Sequence, residues 1–118
     1  MIHLTKTVAL ELGEDNVRVN AICPGFIATP LAAGRPDASD EQIQKMRDGS
    51  ANSQVMGRVG EASDIANMAL FLASDESEWM TGREWVVDGG WEAGPPWSKW
   101  APFTRMERPI RHHRPPGR

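Results

Sequence analysis

The apolar pattern of the chain is densest between residues 17 and 31, where it predicts a buried strand followed by a tight turn. Val17 to Cys23 first alternates and then becomes continuously apolar, which is typical of a strand covered on both faces. Pro24 has no N–H to continue a ladder, and Gly25 allows a close approach of backbone. Because ligands of parallel α/β proteins bind beyond the carboxyl ends of the strands, the pattern predicts the rim of a ligand crevice at this turn.

The beginning of the chain repeats apolar side chains at helical spacing. Leu4, Val8 and Leu12 fall on one line, which predicts a helix from Met1 to Leu12. Gly13 follows at the position where a left-handed C-cap is common. No capping residue precedes the pattern, so we expect either an internal piece of a longer helix or a genuine truncation.

A second helical stretch, Glu61 to Ser74, precedes a short apolar strand, Trp85 to Val87. Glu61 and Asp64 suit the first turn of a helix, where the dipole favours negative charge. The apolar stripe of this stretch is broad enough to pack on a sheet and still leave a face for a second subunit. Together with the strand at 17–23, these elements predict a right-handed crossover that joins two parallel strands.

The segment between the turn and the second helix, residues 32–60, is polar and rich in glycine, and it contains a predicted helix from about Ser39 to Arg47. A long insertion beside a crevice is commonly a lid, and a solvated connector is the alternative. Its scattered apolar side chains indicate a pocket wall: Ala32, Ala33, Met46, Val55 and Met56.

Charge and proline content divide the chain into a body, residues 1–91, and a tail, residues 92–118. The body carries seven basic and fourteen acidic side chains, whereas the tail carries six basic, two acidic and six of the nine prolines. We expect an extended, partly disordered tail. Its arginines leave nucleic-acid binding as an alternative function, although no nucleic-acid-binding motif accompanies them.

Cysteine and histidine usage excludes two kinds of site. The single cysteine, Cys23, lies within the predicted strand and is expected to be a core residue, so the sequence indicates a reducing compartment, the cytoplasm. His112 and His113 have no partner at metal-ligand spacing, so no metal site is expected. No apolar run reaches membrane-spanning length, and no membrane association is expected.

Five segments carry a resemblance to a known family: LTKTVALELG, RVNAICPG, PGFIATP, GRVGEASDIANMALFLASDES and TGREWVVDGG. In this order they resemble the C-terminal half of a short-chain dehydrogenase/reductase, over about residues 1–90. The resemblance implies an α/β fold, the C-terminal part of a Rossmann-type doubly wound parallel sheet that is incomplete by itself. It also implies NAD or NADP as cofactor, a small alcohol or carbonyl substrate, and a homo-oligomer formed through Glu61–Ser74 and Trp85–Val87.

The same resemblance implies cofactor-binding roles for the turn after the first strand. Pro24 and Gly25 would shape the turn on the nicotinamide side of the cofactor. Ile27 would offer its backbone to the carboxamide, and Thr29 would hydrogen-bond the carboxamide or a phosphate oxygen. Such fixed donors and acceptors orient the ring, which is catalysis by positioning.

No catalytic residue is assigned within this sequence. The family's serine, tyrosine and lysine would lie before Met1, and the chain contains no tyrosine. Lys6 has no tyrosine at the required spacing and cannot replace the family's lysine. The leading interpretation is therefore the C-terminal fragment of an NAD(P)-dependent oxidoreductase. The alternative is a non-catalytic, truncated protein that docks on full-length relatives.

Overall fold

The computed structural model describes residues 1–96 and residue 99. This part of the chain contains three α-helices and two short strands, together with three turns of 3-10 helix. The predictions for most of the tail lie outside the described residues. The elements are α1 (Ile2–Leu12), β1 (Ala21–Pro24), α2 (Asp40–Ser50), α3 (Ala62–Ala73) and β2 (Glu84–Val87).

The two strands form a parallel pair in which Ala21 lies opposite Glu84 and Pro24 opposite Val87. Helix α3 connects them along the chain and packs against both strands. The parallel crossover predicted from the apolar pattern is therefore confirmed. Among the described residues this sheet has only these two strands, so the structure is an incomplete piece of an α/β sheet.

Strand β1 is shorter than the predicted Val17–Cys23, and it includes Pro24. The residues before Ala21 contact the bend that precedes β2, where the N–H of Gly82 donates to the Val19 carbonyl at 2.7 Å. The prediction that Pro24 stops the ladder was wrong, because the N–H of Gly25 still donates to the Val87 carbonyl at 3.0 Å. Alternate residues of a strand face the same neighbour, so the missing N–H of Pro24 points away from β2.

Burial of β1 also differs from the prediction. Ala21 is buried, Ile22 and Cys23 are partly buried, and Pro24 is exposed. Cover on both faces would require neighbours that the described residues do not supply. The buried apolar side chains are few and small, namely Ala9, Ala21, Ala28 and Val59.

The end of α1 differs from the predicted glycine cap. Gly13 has a right-handed φ of −63° and opens a turn of 3-10 helix, Gly13–Asp15. Asn16 takes the left-handed conformation instead, with a φ of 58°. Asparagine tolerates this region better than most residues, and the extra turn moves the reversal three residues along.

Local capping explains where α2 begins. The hydroxyl of Ser39 accepts from the N–H of Gln42, and the Gln42 side chain accepts from the N–H of Ser39 at 2.9 Å. This capping box satisfies backbone donors that the first helical turn leaves free.

No helix in the described part of the chain combines the length and the apolar character that a bilayer crossing requires.

Candidate functional site

The turn after β1 is built around a close backbone contact at Gly25. A methyl group added to Gly25 would lie 2.5 Å from the Cα of Asp88 and 2.6 Å from its Cβ. Only glycine therefore fits between the end of β1 and the turn that follows β2. The close approach predicted from the sequence is present, and its partner is this chain's own backbone.

Asp88 is held in place by its own carboxylate. One oxygen accepts from the N–H of Gly90 and the other from the N–H of Glu92, both at 2.8 Å. These bonds, that from Glu92 first, lower the pKa of the Asp88 carboxyl below its usual range. Asp88 therefore closes the turn after β2, and this closed turn forms the wall against which Gly25 packs.

A second contact joins the turn to the end of the segment 32–60. The N–H of Ala28 donates to the Gly60 carbonyl at 2.7 Å, and the N–H of Gly60 donates to the Phe26 carbonyl at 3.0 Å. A Cβ at Gly60 would meet the Cδ1 of Ile27 at 2.6 Å. The sequence patterns did not predict that Gly60 packs against the turn. A glycine at this position was nevertheless a possible signal of close backbone packing.

This bridge leaves the backbone of Ile27 free. Its neighbours Phe26 and Ala28 bond to Gly60, and alternate residues of a bridged segment face opposite ways. Within residues 1–96 neither the N–H nor the C=O of Ile27 makes a backbone hydrogen bond. One donor and one acceptor are thus available side by side on the face turned away from Gly60.

Thr29 begins the next turn of the chain. Its hydroxyl oxygen accepts from the N–H of Ala32 at 3.2 Å, and its carbonyl accepts from the N–H of Ala33 at 3.1 Å. Because a hydroxyl both accepts and donates, the hydrogen of the Thr29 hydroxyl remains available to an acceptor outside the chain.

An open cleft of about 530 Å³ lies beside this turn. All four residues proposed to bind the cofactor line it, and their neighbours in the lining are almost entirely apolar. Pro24, Gly25, Ile27 and Thr29 thus meet at one place in the structure. The other lining residues are Phe26, Leu31, Ala32, Ala62 and Ile65.

The predicted apolar wall of the lid divides between two places. Ala32 lines the 530 Å³ cleft. Met56 lines a neighbouring cavity of about 270 Å³, which shares Phe26 and Ile27 with the cleft, and the Met56 N–H donates to the Gly89 carbonyl. Val55 packs against Gly90, where an added Cβ would lie 2.9 Å from the Val55 Cβ. The end of the segment 32–60 is therefore attached to the turn after β2, and neither Val55 nor Met56 lines the 530 Å³ cleft.

Arg58 forms a two-pronged ion pair with Asp64 at the start of α3. The two guanidinium nitrogens lie 2.7 and 2.9 Å from the two carboxylate oxygens. This pair, together with the N–H of Glu61, lowers the pKa of Asp64 to about 2. Within residues 1–96 and 99, no cluster of three or more acidic, histidine or cysteine side chains is arranged to hold a metal ion.

Comparison with known proteins shows the family. Residues 1–92 match the family model described as enoyl-(acyl carrier protein) reductase. The relatives that the chain matches include Dehydrogenase/reductase SDR family member 6 of Xenopus laevis, 40% identical over 90 residues that cover 76% of this chain and 36% of that protein. The chain therefore belongs to the short-chain dehydrogenase/reductase family.

Other relatives support the same family and show that the chain corresponds to only part of their length. The 3-oxoacyl-[acyl-carrier-protein] reductase FabG of Thermotoga maritima is 42% identical over 90 residues, which cover 76% of this chain and 34% of that protein. The chain thus spans about a third of the length of the curated relatives it matches.

Solved structures support the same fold. A 4-hydroxyisoleucine dehydrogenase mutant complexed with NADH and succinate is 37% identical and aligns with a TM-score of 0.62, covering 80% of this chain and 37% of that one. YwfH, an NADPH dependent reductase, is 36% identical with a TM-score of 0.63, covering 76% of this chain and 35% of that one. The α/β piece described above is therefore part of a Rossmann-type fold.

Proposed function

We propose that this chain supplies the C-terminal part of an NAD(P)-dependent oxidoreductase that transfers hydride between the cofactor and a small alcohol or carbonyl compound. Pro24 and Gly25 shape the turn on the nicotinamide side, and Ile27 and Thr29 contact the carboxamide or a phosphate oxygen. The lid, residues 32–60, covers the substrate. The nicotinamide supplies the hydride, and this chain's residues orient it.

The state of the Ile27 backbone carries the proposal. A carboxamide presents one carbonyl acceptor and one amino donor. Within residues 1–96, Ile27 presents a free N–H and a free C=O, and it lines the cleft together with the Thr29 hydroxyl. The two sets of groups are complementary, so the residues that are present fit a nicotinamide. Orientation by fixed groups of this kind reduces the entropic part of the barrier.

Proton transfer needs a group that these residues do not provide. Reduction of a carbonyl requires an acid that protonates the oxygen as hydride arrives. In the family this acid is a tyrosine, and the 118 residues contain none. We therefore expect no turnover from this chain by itself.

A titration followed by 15N NMR tests the proposal on the full chain. Nicotinamide mononucleotide should shift the amide signals of Ile27 and Thr29, with weak affinity on the order of millimolar, whereas adenosine monophosphate should not. Thr29→Val should reduce the shifts, and Thr7→Val on α1 should leave them unchanged. Equal shifts with both nucleotides, or none at Ile27 and Thr29, would contradict the proposal.

A second candidate function is a non-catalytic chain that docks on full-length relatives or on itself. Exposed apolar side chains favour it: Leu10 on α1 is 82% exposed and Leu70 on α3 is 71% exposed. Val86 on β2 is exposed as well. Contiguous apolar surface and open strand edges promote association. The proposed homo-oligomer would use Glu61–Ser74 and Trp85–Val87.

Light scattering after size-exclusion chromatography separates these outcomes. A dimer or larger species that Leu70→Lys converts to a monomer supports assembly through α3. A mixed complex with a full-length relative, disrupted by the same change, supports docking. A monomer under all conditions contradicts both. Nucleic-acid binding through the tail concerns residues outside the described part of the chain.

A further inference from the structure

The lid helix α2 is held together by interactions within itself. Lys45 pairs with Glu41 one turn away at 2.9 Å, and the amide of Gln44 donates to Asp48 at 2.8 Å. No side chain of α2 is buried. Helices in proteins usually depend on the packing of an apolar face; α2 offers only the partly buried Ile43 and Met46 for this purpose, so polar contacts must contribute to its position.

One ion pair supplies the connection. The Nε of Arg47 donates to Oε1 of Glu61 and one terminal nitrogen donates to Oε2, both at 2.8 Å. Within residues 1–96 this is the only side-chain hydrogen bond or ion pair that joins residues 34–53 to the rest of the structure. Paired, parallel bonds from one guanidinium also fix orientation as well as distance.

The acceptor of this pair sits on a rigid part of the structure. Glu61 directly precedes α3, and its backbone N–H donates to Asp64 at 2.8 Å. Asp64 is itself held by Arg58. The Arg47 bond, with help from the charges of Arg47 and Arg58, lowers the pKa of Glu61, so the pair is charged at neutral pH.

We propose that the Arg47–Glu61 ion pair is a latch that holds the lid helix beside the start of α3. Arg47 is then a positioning residue for the lid and, since this role rests on the proposed function, for the substrate side of the cleft. Breaking the pair frees residues 34–53 from the body while leaving the start of α3 intact, because Arg58 still pairs with Asp64. Both side chains of the latch are partly exposed, at 33% and 42%, so salt weakens the latch.

Backbone 15N relaxation of the full chain tests the latch without any nucleotide, so failure of the cofactor proposal and failure of the latch are distinguishable. In the unmodified chain the backbone N–H order parameters of α2 should match those of α3, at about 0.85. Arg47→Gln should lower them in α2 alone, toward ~0.6. Lys45→Gln is the matched control, because it removes an ion pair within α2 and should leave the order parameters high.

Rescue separates a latch from a general loss of helix stability. The double change Arg47→Glu with Glu61→Arg should restore the order parameters of α2. Addition of about 1 M salt, at which the screening length is about 3 Å, should lower them in the unmodified chain and have no effect on Arg47→Gln. The proposal is overturned if Arg47→Gln leaves α2 as ordered as α3, if Lys45→Gln has the same effect, or if the charge swap does not restore order.

Discussion

Gly25 offers the sharpest test of how the turn after β1 is built. Replacement by alanine places a methyl group 2.5 Å from the Cα and 2.6 Å from the Cβ of Asp88. Neither atom can rotate away, since one is backbone and the other is held by the bonds of the Asp88 carboxylate to Gly90 and Glu92. The end of β1 must therefore move away from the turn after β2.

The size of this effect follows from the cost of overpacking. Inserting a methyl group into a filled space typically costs about 1–3 kcal/mol. At about 1.4 kcal/mol for each factor of ten, local opening at the turn should become roughly 5 to 150 times more frequent. The bonds from Gly25 to Val87 and from Ala28 to Gly60 should report this opening first.

Amide hydrogen exchange measured by NMR checks the prediction residue by residue. Protection should fall at residue 25 and at Ala28 in Gly25→Ala. Gly49→Ala is the matched control: no atom lies within 4 Å of its added Cβ and Gly49 lies in α2, so a gain of about 0.5–1 kcal/mol in helix stability is expected. Equal protection of the turn in both variants would refute the packing explanation.

Two further predictions concern the stability of local contacts. The pKa of Asp64 in the folded chain, about 2, lies below its ordinary value of 3.8, so the carboxylate contributes to the free energy of unfolding in full above pH 3.8 and loses this contribution as the pH falls toward 2. Amide protection at the start of α3 should fall over this pH range. Asp64→Asn should remove this dependence on pH. Asn20→Ala should shift the indole N–H signal of Trp85, which donates to the Asn20 side chain at 3.1 Å. It should cost about 1 kcal/mol, because the Met80 carbonyl loses its 2.7 Å bond from Asn20 and keeps only a long bond from Arg18 at 3.5 Å. An unchanged indole signal would contradict the bond between Trp85 and Asn20.

The amino-acid sequence by itself determined the family and most of the local elements. The periodicity of Glu61–Ser74 and the apolar run at Trp85–Val87 predicted α3 and β2 within a residue or two, because such patterns depend on neighbours along the chain. Ser39 marked the start of α2 for the same reason. The order of the motifs identified the family before the fold was known, and it singled out the turn at Pro24–Thr29.

Only the tertiary structure decided how these parts meet. The inclusion of Pro24 in the ladder depends on which side of β1 faces β2, and that follows from a register set more than sixty residues away. The contact of Gly25 with Asp88 and the latch from Arg47 to Glu61 join residues whose separation carries no periodic signal. A sequence pattern reports the preferences of adjacent residues, whereas these contacts depend on where the chain returns in space.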